Sequence, residues 1–336
     1  MILTSPPPCI NTGVPALSAN SMTQHPLYAL GKILHELDYR FTTPTPATIA
    51  RVIERPAKAQ AHDLAGILGW SRPFAAETAP AAVLDALRAA GAVEQSGDSL
   101  RSLLRVSSIG DQLYFHSAYP TTADDSVFFG PDTYRFARQL QLAMPSLSAG
   151  LRRCADIGCG SGASAITVAL ACPDALVYAL DINPAALKLT AINAALAGTD
   201  KVLAKYSNLL HDVDGEFDLI IADPPFMFDH AERAYRHGGG QLGDGLSLAI
   251  VDAAIERLAP GGTLLLYTGS AIVDGFDALR DKALARLARA GLVASYEELD
   301  PDIFGEELLE PAYAEVDRIA AVWLKATKPL AQRAQS

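Results

Sequence analysis

The chain has 336 residues, 50% hydrophobic and 19% charged, long enough to bury about 75% of its unfolded surface without a disulfide or a metal. Its 27 Lys and Arg against 38 Asp and Glu leave a formal charge of −11, which excludes a basic protein that coats nucleic acid through many phosphate contacts. Collagen-like, coiled-coil and mostly disordered chains are excluded by composition as well.

Residues 1–24 are rich in Pro, Ser, Thr and Asn without periodicity and are expected to form a flexible tail. Their start lacks the basic and apolar regions of a signal peptide. No window reaches the roughly 18 apolar residues of a membrane span. Cys9, Cys154, Cys159 and Cys172 form neither a CxxC pair nor a zinc spacing. A soluble, cytoplasmic protein with free thiols, no metal and no membrane partner is expected.

From Leu27 the spacing turns helical, with Leu27, Leu30, Ile33, Leu34 and Leu37 on one face. Thr45-Pro46 opens a second helix, 61–68 reads as a third, and 80–90 as a fourth ended by Gly91. A turn at Gly97-Asp98 and a β-rich stretch over 103–115 follow. Helices followed by a hairpin predict an N-terminal helical, winged-helix-like domain over 25–125, suited to substrate recognition. It shows no basic recognition helix, which favours protein docking or dimerisation over nucleic-acid binding.

Beyond Leu151, strand, glycine turn and helix alternate in the pattern of a doubly wound parallel sheet. Strands are predicted at 154–157, 175–180, 202–206, 217–222 and 263–268, and late strands near 293–297 and 318–324. Helices are predicted at 164–171, 185–196, 248–258 and 283–290. Asp156-Ile157-Gly158-Cys159-Gly160-Ser161-Gly162 ends the first strand and opens a helix. Glycines there permit positive φ and let backbone N–H groups approach a ligand. Asp181 ends the second strand 25 residues after Asp156 (181 − 156), where a carboxylate can accept ribose hydroxyls. Gly158-x-Gly160-x-x-Ala163 also satisfies a dinucleotide fingerprint, so an oxidoreductase is a rival reading. Asp156 inside the turn disfavours a pyrophosphate and favours a ligand with a cationic amine.

These residues resemble the class I S-adenosylmethionine-dependent methyltransferases over roughly 125–326. The resemblance implies a Rossmann-like α/β domain over 126–330, mainly parallel with a late antiparallel strand, and S-adenosyl-L-methionine as cofactor. By the same resemblance, Asp156, Gly158, Gly160 and Gly162 belong to the cofactor pocket. Asp181 would hold the ribose, Ile182 pack on the adenine, and Asn208 lie near its amino group.

Asp223-Pro224-Pro225-Phe226 follows the fourth strand. Its prolines fix φ and remove two backbone donors, presenting Asp223 and its carbonyls to the crevice. The segment is similar to the (Asp/Asn)-Pro-Pro-(Tyr/Phe) motif of N-methyltransferases that modify adenine N6, guanine N2 or glutamine amides. A planar nitrogen has a delocalised lone pair and is a poor nucleophile. Hydrogen bonds to the Asp223 carboxylate and the Pro224 carbonyl would draw it towards sp3 geometry while Phe226 stacks on its plane. Phe128-Phe129-Gly130-Pro131-Asp132-Thr133 resembles the segment that closes over the cofactor in related enzymes, with Thr133 as a hydrogen bonder.

His237 to Gly245 carries five glycines in nine positions and is similar to a stretch of the release-factor glutamine methyltransferases. It reads as a lid or a flexible loop, with His237 facing solvent. Glu297, Glu298, Asp300, Asp302, Glu306, Glu307 and Glu310 read as a solvated acidic loop. The expected function is methyl transfer to a planar nitrogen, with a protein glutamine amide favoured, an RNA or DNA base next and a small metabolite third. A macromolecular partner is therefore favoured over a small molecule. A nonenzymatic binding module and a dinucleotide oxidoreductase are the alternatives of a different class.

Overall fold

The apolar run before Gly158 is buried throughout and becomes the strand around which the other elements assemble. The computed structural model describes residues 16–56, 59–229, 233 and 235–330. Residues 1–15 of the expected tail, Cys9 among them, lie outside the described residues. The tail reading ends earlier than residue 24, because β1 (Leu17–Ser18) joins the sheet edge, Ala19 is buried, and Leu17 and Met22 pack on the core.

In the N-terminal part, α1 (Pro26–Glu36) and α2 (Pro46–Ile53) both carry proline in the first turn. Thr45 Oγ1 accepts the Thr48 N–H at the start of α2. Then come α3 (Ala81–Ala89), the hairpin β2 (Val93–Ser96) with β3 (Ser99–Ser102), and the hairpin β4 (Leu104–Ile109) with β5 (Gln112–Ser117). Leu30, Leu34, Ile49, Phe74, Val83 and Leu87 form its core. The helix predicted over 61–68 is absent. A single turn, Ala65–Gly69, stands there, with Asp63 Oδ1 accepting the Gly66 N–H at 2.6 Å. Gly66 and Gly69 each disfavour a helix by about 1 kcal/mol, and Gly69 lies flat against the Phe41 ring.

The second part opens with a helix that the sequence pattern did not announce, α4 (Pro131–Leu147). The alternating elements follow: β6 (Arg153–Ile157), α5 (Ala163–Ala171), β7 (Leu176–Asp181), α6 (Pro184–Leu196), β8 (Val202–Tyr206), β9 (Phe217–Ala222), α7 (Gly245–Arg257) and β10 (Leu258–Val273). The chain ends with β11 (Phe276–Asp277), α8 (Ala278–Arg289), β12 (Val293–Asp300) and β13 (Arg318–Thr327). α8 starts earlier than the spacing suggests because Asp277 Oδ1 caps it through the Arg280 N–H. β10 outruns its prediction because β13 pairs with it from Thr263 to Ile272, and Pro260-Gly261-Gly262 is absorbed as an irregularity.

The nine-stranded sheet runs β1-β8-β7-β6-β9-β10-β13-β12, with β11 beside β10. β8, β7, β6, β9 and β10 are parallel, and β13 opposes both its neighbours. This is the Rossmann-like α/β sheet expected from the sequence, late antiparallel strand included. Leu219, Ile221, Leu265 and Tyr267 face one core layer, with α4 and α5, while Ile220, Ala222, Leu264 and Leu266 face the other, with α7 and α8. Strand order reverses between β6 and β9, so the crevice of an open α/β sheet lies beyond their carboxyl ends. Among the described residues, no helix is long and apolar enough to cross a membrane.

α6 explains how the two parts join. Leu187, Ala191 and Ala194 face the sheet, while Ala186, Leu189 and Ile192 face the N-terminal core. A helix wanted on two sides must be apolar nearly all round. Its one buried amide is Asn193, whose Oδ1 accepts the Phe115 N–H at 2.9 Å and whose Nδ2 donates to Phe115 O at 3.1 Å and Ser161 O at 2.8 Å. Asn193 thus ties an N-terminal strand to the glycine turn. Asn193→Ala strands these buried partners and should lower the unfolding free energy by about 2–4 kcal/mol. Urea denaturation checks this: the midpoint should fall while the slope stays unchanged.

Candidate active site

The glycine turn after β6 is bound to its neighbour strand. The Gly158 and Cys159 N–H groups donate to Leu180 O, that of Gly160 to Asp181 Oδ2 at 2.9 Å, and that of Gly162 to Cys159 O. Four N–H groups that the sequence pattern offered to a ligand are therefore taken by protein acceptors. Gly162 has φ +80°, and a Cβ there would meet Thr190 Cγ2 at 2.8 Å. Thr190 in turn donates to Gly160 O, so α6 presses directly on the turn.

A cleft of about 1040 Å3, measured out to solvent, opens over this turn. Gly158, Gly160, Asp181, Ile182, Asn208 and Thr133 all line it, together with Asp223 and Pro225. Asp181 is oriented by the N–H groups of Gly160 and Asn183, and Ile182 is 48% exposed, an apolar side chain left without cover. Asp156 and Gly162 are not in the wall. Asp156 is buried beneath the turn, its Oδ2 accepting the Ala165 N–H at the start of α5.

A second cavity of about 600 Å3 lies on the other side of Asp223. Pro224 and Phe226 belong to it, and Asp223, Pro225, Thr133, Phe128 and Tyr235 line both spaces. Phe226 is largely buried, seated on Gly269 and tilted against Phe304 at 6.1 Å. Pro46, from the start of α2, closes one side. Asp132 lies in this wall, only 5% exposed, and its Oδ1 accepts from Tyr267 Oη at 2.6 Å and from Arg135 at 3.3 Å. Sequence reasoning flagged the segment holding Asp132 but not its carboxyl, and Tyr267 gave no signal at all.

The glycine-rich loop is packed down against the Pro-Pro turn. Gly238 N–H donates to Met227 O, and Leu246 N–H to Gly238 O. A Cβ on Gly238 would meet Phe226 Cα at 2.7 Å, and one on Gly243 would overlap Phe226 O. The loop is a buttress for Asp223-Pro224-Pro225-Phe226. His237 does not face solvent: it is half-buried, and its Nδ1 accepts the Asp229 N–H at 3.2 Å. It lines neither cavity. The acidic stretch is only partly solvated. Glu307 is buried on Arg236 at 2.5 Å, Asp300 pairs with Arg135 at 3.0 Å, and Phe304 walls the second cavity.

Four carboxyls gather at these strand ends, and no basic side chain lines the first cleft among the described residues. Burial pushes the Asp156 acid up to about 8, and the Asp181 charge adds to the rise. Burial raises Asp181 as well, against the N–H groups bound to it. Asp223 is held well above the ordinary carboxyl range by burial and then by the Asp132 and Asp156 charges. Asp132 is raised by burial, opposed by Tyr267 and Arg135. Such a site has unmet demand for positive charge.

Residues 136–274 match the family model described as the methyltransferase small domain. The chain is 36% identical over 166 residues to the release factor glutamine methyltransferase of Deinococcus radiodurans, covering 46% of this chain and 55% of that one. It is 37% identical over 129 residues to the release factor glutamine methyltransferase of Xylella fastidiosa, covering 35% and 47%. The chain thus spans about half the length of the curated relatives it matches. Among solved structures, Trm5b of Pyrococcus abyssi aligns with a TM-score of 0.46 at 15% identity, covering 70% of this chain and 62% of that one.

The Pro-Pro turn depends on this buttress, and two glycines test it. Gly243→Ala combines φ +85° with a clash on Phe226 O and should cost about 3 kcal/mol or more. Gly239→Ala, at φ +71° with nothing nearer than 4.0 Å, should cost only about 1–2 kcal/mol. Thermal unfolding of both variants reads the difference, and equal losses would refute the buttress.

Proposed function

We propose that this protein is an S-adenosylmethionine-dependent N-methyltransferase whose acceptor is the side-chain amide of a protein glutamine. The observation that carries the reading is the meeting of two cavities at Asp223: one wants a cation, and the other is walled by Pro224, Phe226 and Phe304. The raised carboxyls fit a cationic sulfonium and amine, whereas a pyrophosphate would meet occupied N–H groups and acids. S-adenosylmethionine, when bound in the first cleft, supplies a methyl group on positively charged sulfur.

On the protein's side, Asp181 would accept the ribose hydroxyls and Ile182 would cover the adenine. Gly158, Gly160, Thr133 and Asn208 would complete the cofactor wall, with Asp156 and Gly162 supporting it from behind. In the second cavity the Asp223 carboxylate and the Pro224 carbonyl would accept the acceptor's N–H groups, while Phe226 and the prolines hold its plane. Among the described residues, the arginines in and beside this cavity are already paired: Arg135 with Asp132 and Asp300, Arg233 with Asp229, Arg236 with Asp229 and Glu307. That leaves no ready phosphate clamp and favours a neutral amide over a nucleobase carried on a charged backbone. The names of the curated relatives support the same acceptor. Because Pro46 reaches the cavity, the N-terminal part over 25–125 would present the substrate.

The test is methyl transfer from radiolabelled cofactor into lysate lacking this protein. Label that survives nuclease and is lost to protease supports the reading; label lost to nuclease overturns the amide in favour of a base. Asp223→Ala should cut turnover by about 10²-fold or more while cofactor affinity, measured by calorimetry, stays within about threefold.

Cofactor binding should also release protons near neutral pH. Asp156 stays protonated up to about pH 8 in the free protein, and Asp223 well beyond the usual range; a bound cation lowers both. Calorimetry in buffers of different ionisation enthalpy measures the release, and its absence would count against a cation in the cleft. The stability sign follows. The unfolded chain gives up these protons near pH 3.9 and the folded chain later, so the free protein loses stability as pH rises between about 4 and 8. Saturating cofactor should flatten that fall.

A further inference from the structure

The second cavity holds two carboxyls, and methyl transfer to an amide leaves one proton to place. Asp132 sits in the first turn of α4, where the helix dipole favours its ionised form. Both of its side-chain donors, Tyr267 and Arg135, converge on Oδ1, so neither of them occupies Oδ2, and Asp132 lines the cavity. Asp132 lines the second cavity and not the first. That separates it from the cofactor side and places it on the acceptor side with Asp223.

We propose that Asp132 is the proton acceptor of the methyl-transfer step, with Tyr267 and Arg135 as its positioning residues. The inference rests on the planar-nitrogen reading above and assigns a second acid to the same site. The acceptor nitrogen forms its new N–C bond with its own lone pair, and the C–S pair stays on sulfur. The nitrogen is then left with one proton in excess. That proton, from the N–H that the Pro224 carbonyl had accepted, moves to Asp132 Oδ2, while Asp223 continues to hold the other N–H where the acceptor carries one. Tyr267 Oη and Arg135 keep the Asp132 carboxylate aimed and ionised until that moment. The titratable and charged groups around it are Tyr267 from β10, Arg135 on its own helix with Asp300 of β12 behind it, Asp223 after β9, and Tyr235 and Arg236 from the following loop.

Asp132→Asn keeps shape and removes the acceptor. With a glutamine peptide and radiolabelled cofactor, its kcat should fall by about 10²–10³-fold, with cofactor affinity retained. Tyr267→Phe removes a hydrogen bond that lowers the Asp132 acid, so the acidic limb of its kcat profile should move to higher pH. In the double variant Asp132→Asn/Tyr267→Phe that movement should vanish, which a merely structural role for Tyr267 would not produce. Unchanged kcat in Asp132→Asn, or the same limb shift in both backgrounds, overturns the proposal and leaves the glutamine reading standing.

A second measurement needs no acceptor. Carbon-13 titration of aspartate carboxyls should show Asp223 falling to lower pH in Asp132→Asn, because the Asp132 charge helps to hold it up. If the wild-type protein labels no glutamine peptide, the glutamine reading fails and this titration decides: a falling Asp223 supports the acid pair, and an unmoved one overturns it.

Discussion

The structure depends on holding acids at the carboxyl ends of parallel strands around a cleft that no basic side chain lines among the described residues. Asp156 lies near the end of β6, Asp181 ends β7, Asp223 follows β9, and Asp132 meets them from α4. Each charge would be costly there if it stood alone. What makes them tolerable is a set of fixed N–H and O–H donors: Ala165 for Asp156, Gly160 and Asn183 for Asp181, Tyr267 and Arg135 for Asp132. Several of these donors lie in the helix starts and turns at the carboxyl ends of the strands, where the sheet reverses its order between β6 and β9. Fold and electrostatics are therefore one arrangement: the topology creates the crevice, and the crevice is where the acids can be satisfied in part but not in full.

Two further devices keep that arrangement rigid. Asn193 spans from the N-terminal strand at Phe115 to the turn at Ser161, so the N-terminal part braces the first cleft from behind. The glycine-rich loop braces the Pro-Pro turn from the side, backbone against backbone, at distances no side chain could occupy. Both braces act on backbone that lines a cavity. A reacting nitrogen has to be held to a fraction of an ångström, and packing of this kind supplies such precision where a mobile loop would not.

Much of this was legible in the sequence because the signals are local. The glycine turn, Asp181 and Asp223-Pro224-Pro225-Phe226 each sit within a few residues of a strand end, and short apolar runs mark those ends clearly. Thr133 and Asn208 came from the family resemblance, and both line the first cleft. The misses are long-range. Tyr267 reaches Asp132 across 135 positions of sequence, and a tyrosine inside a strand buried on both faces looks like any other core residue. The region 61–68 has helical spacing, but Gly66 and Gly69 are there for packing, and nothing local reveals the Phe41 ring against Gly69. Asp156 lies in the turn but behind the cleft wall, since sequence gives proximity to a ligand but not the side from which a carboxyl approaches. The glycine-rich stretch was ambiguous for the same reason: glycine permits both motion and close approach, and only the neighbouring backbone decides which.

The shared wall of the two cavities has a consequence for the proposed function. In the free protein, burial and the neighbouring acids keep Asp223 protonated and therefore poor at accepting an N–H. A cation in the first cleft opposes that rise, since its charge stabilises the ionised form of Asp223. The acceptor pocket would then gain its hydrogen-bond acceptor only after the first cleft is filled. A nitrogen that entered first would meet a neutral acid, and one that entered second would meet a carboxylate aligned with the prolines behind it. Selection of a cationic ligand and readiness for the acceptor would thus come from the same uncompensated carboxyls, with no moving lid required to couple them.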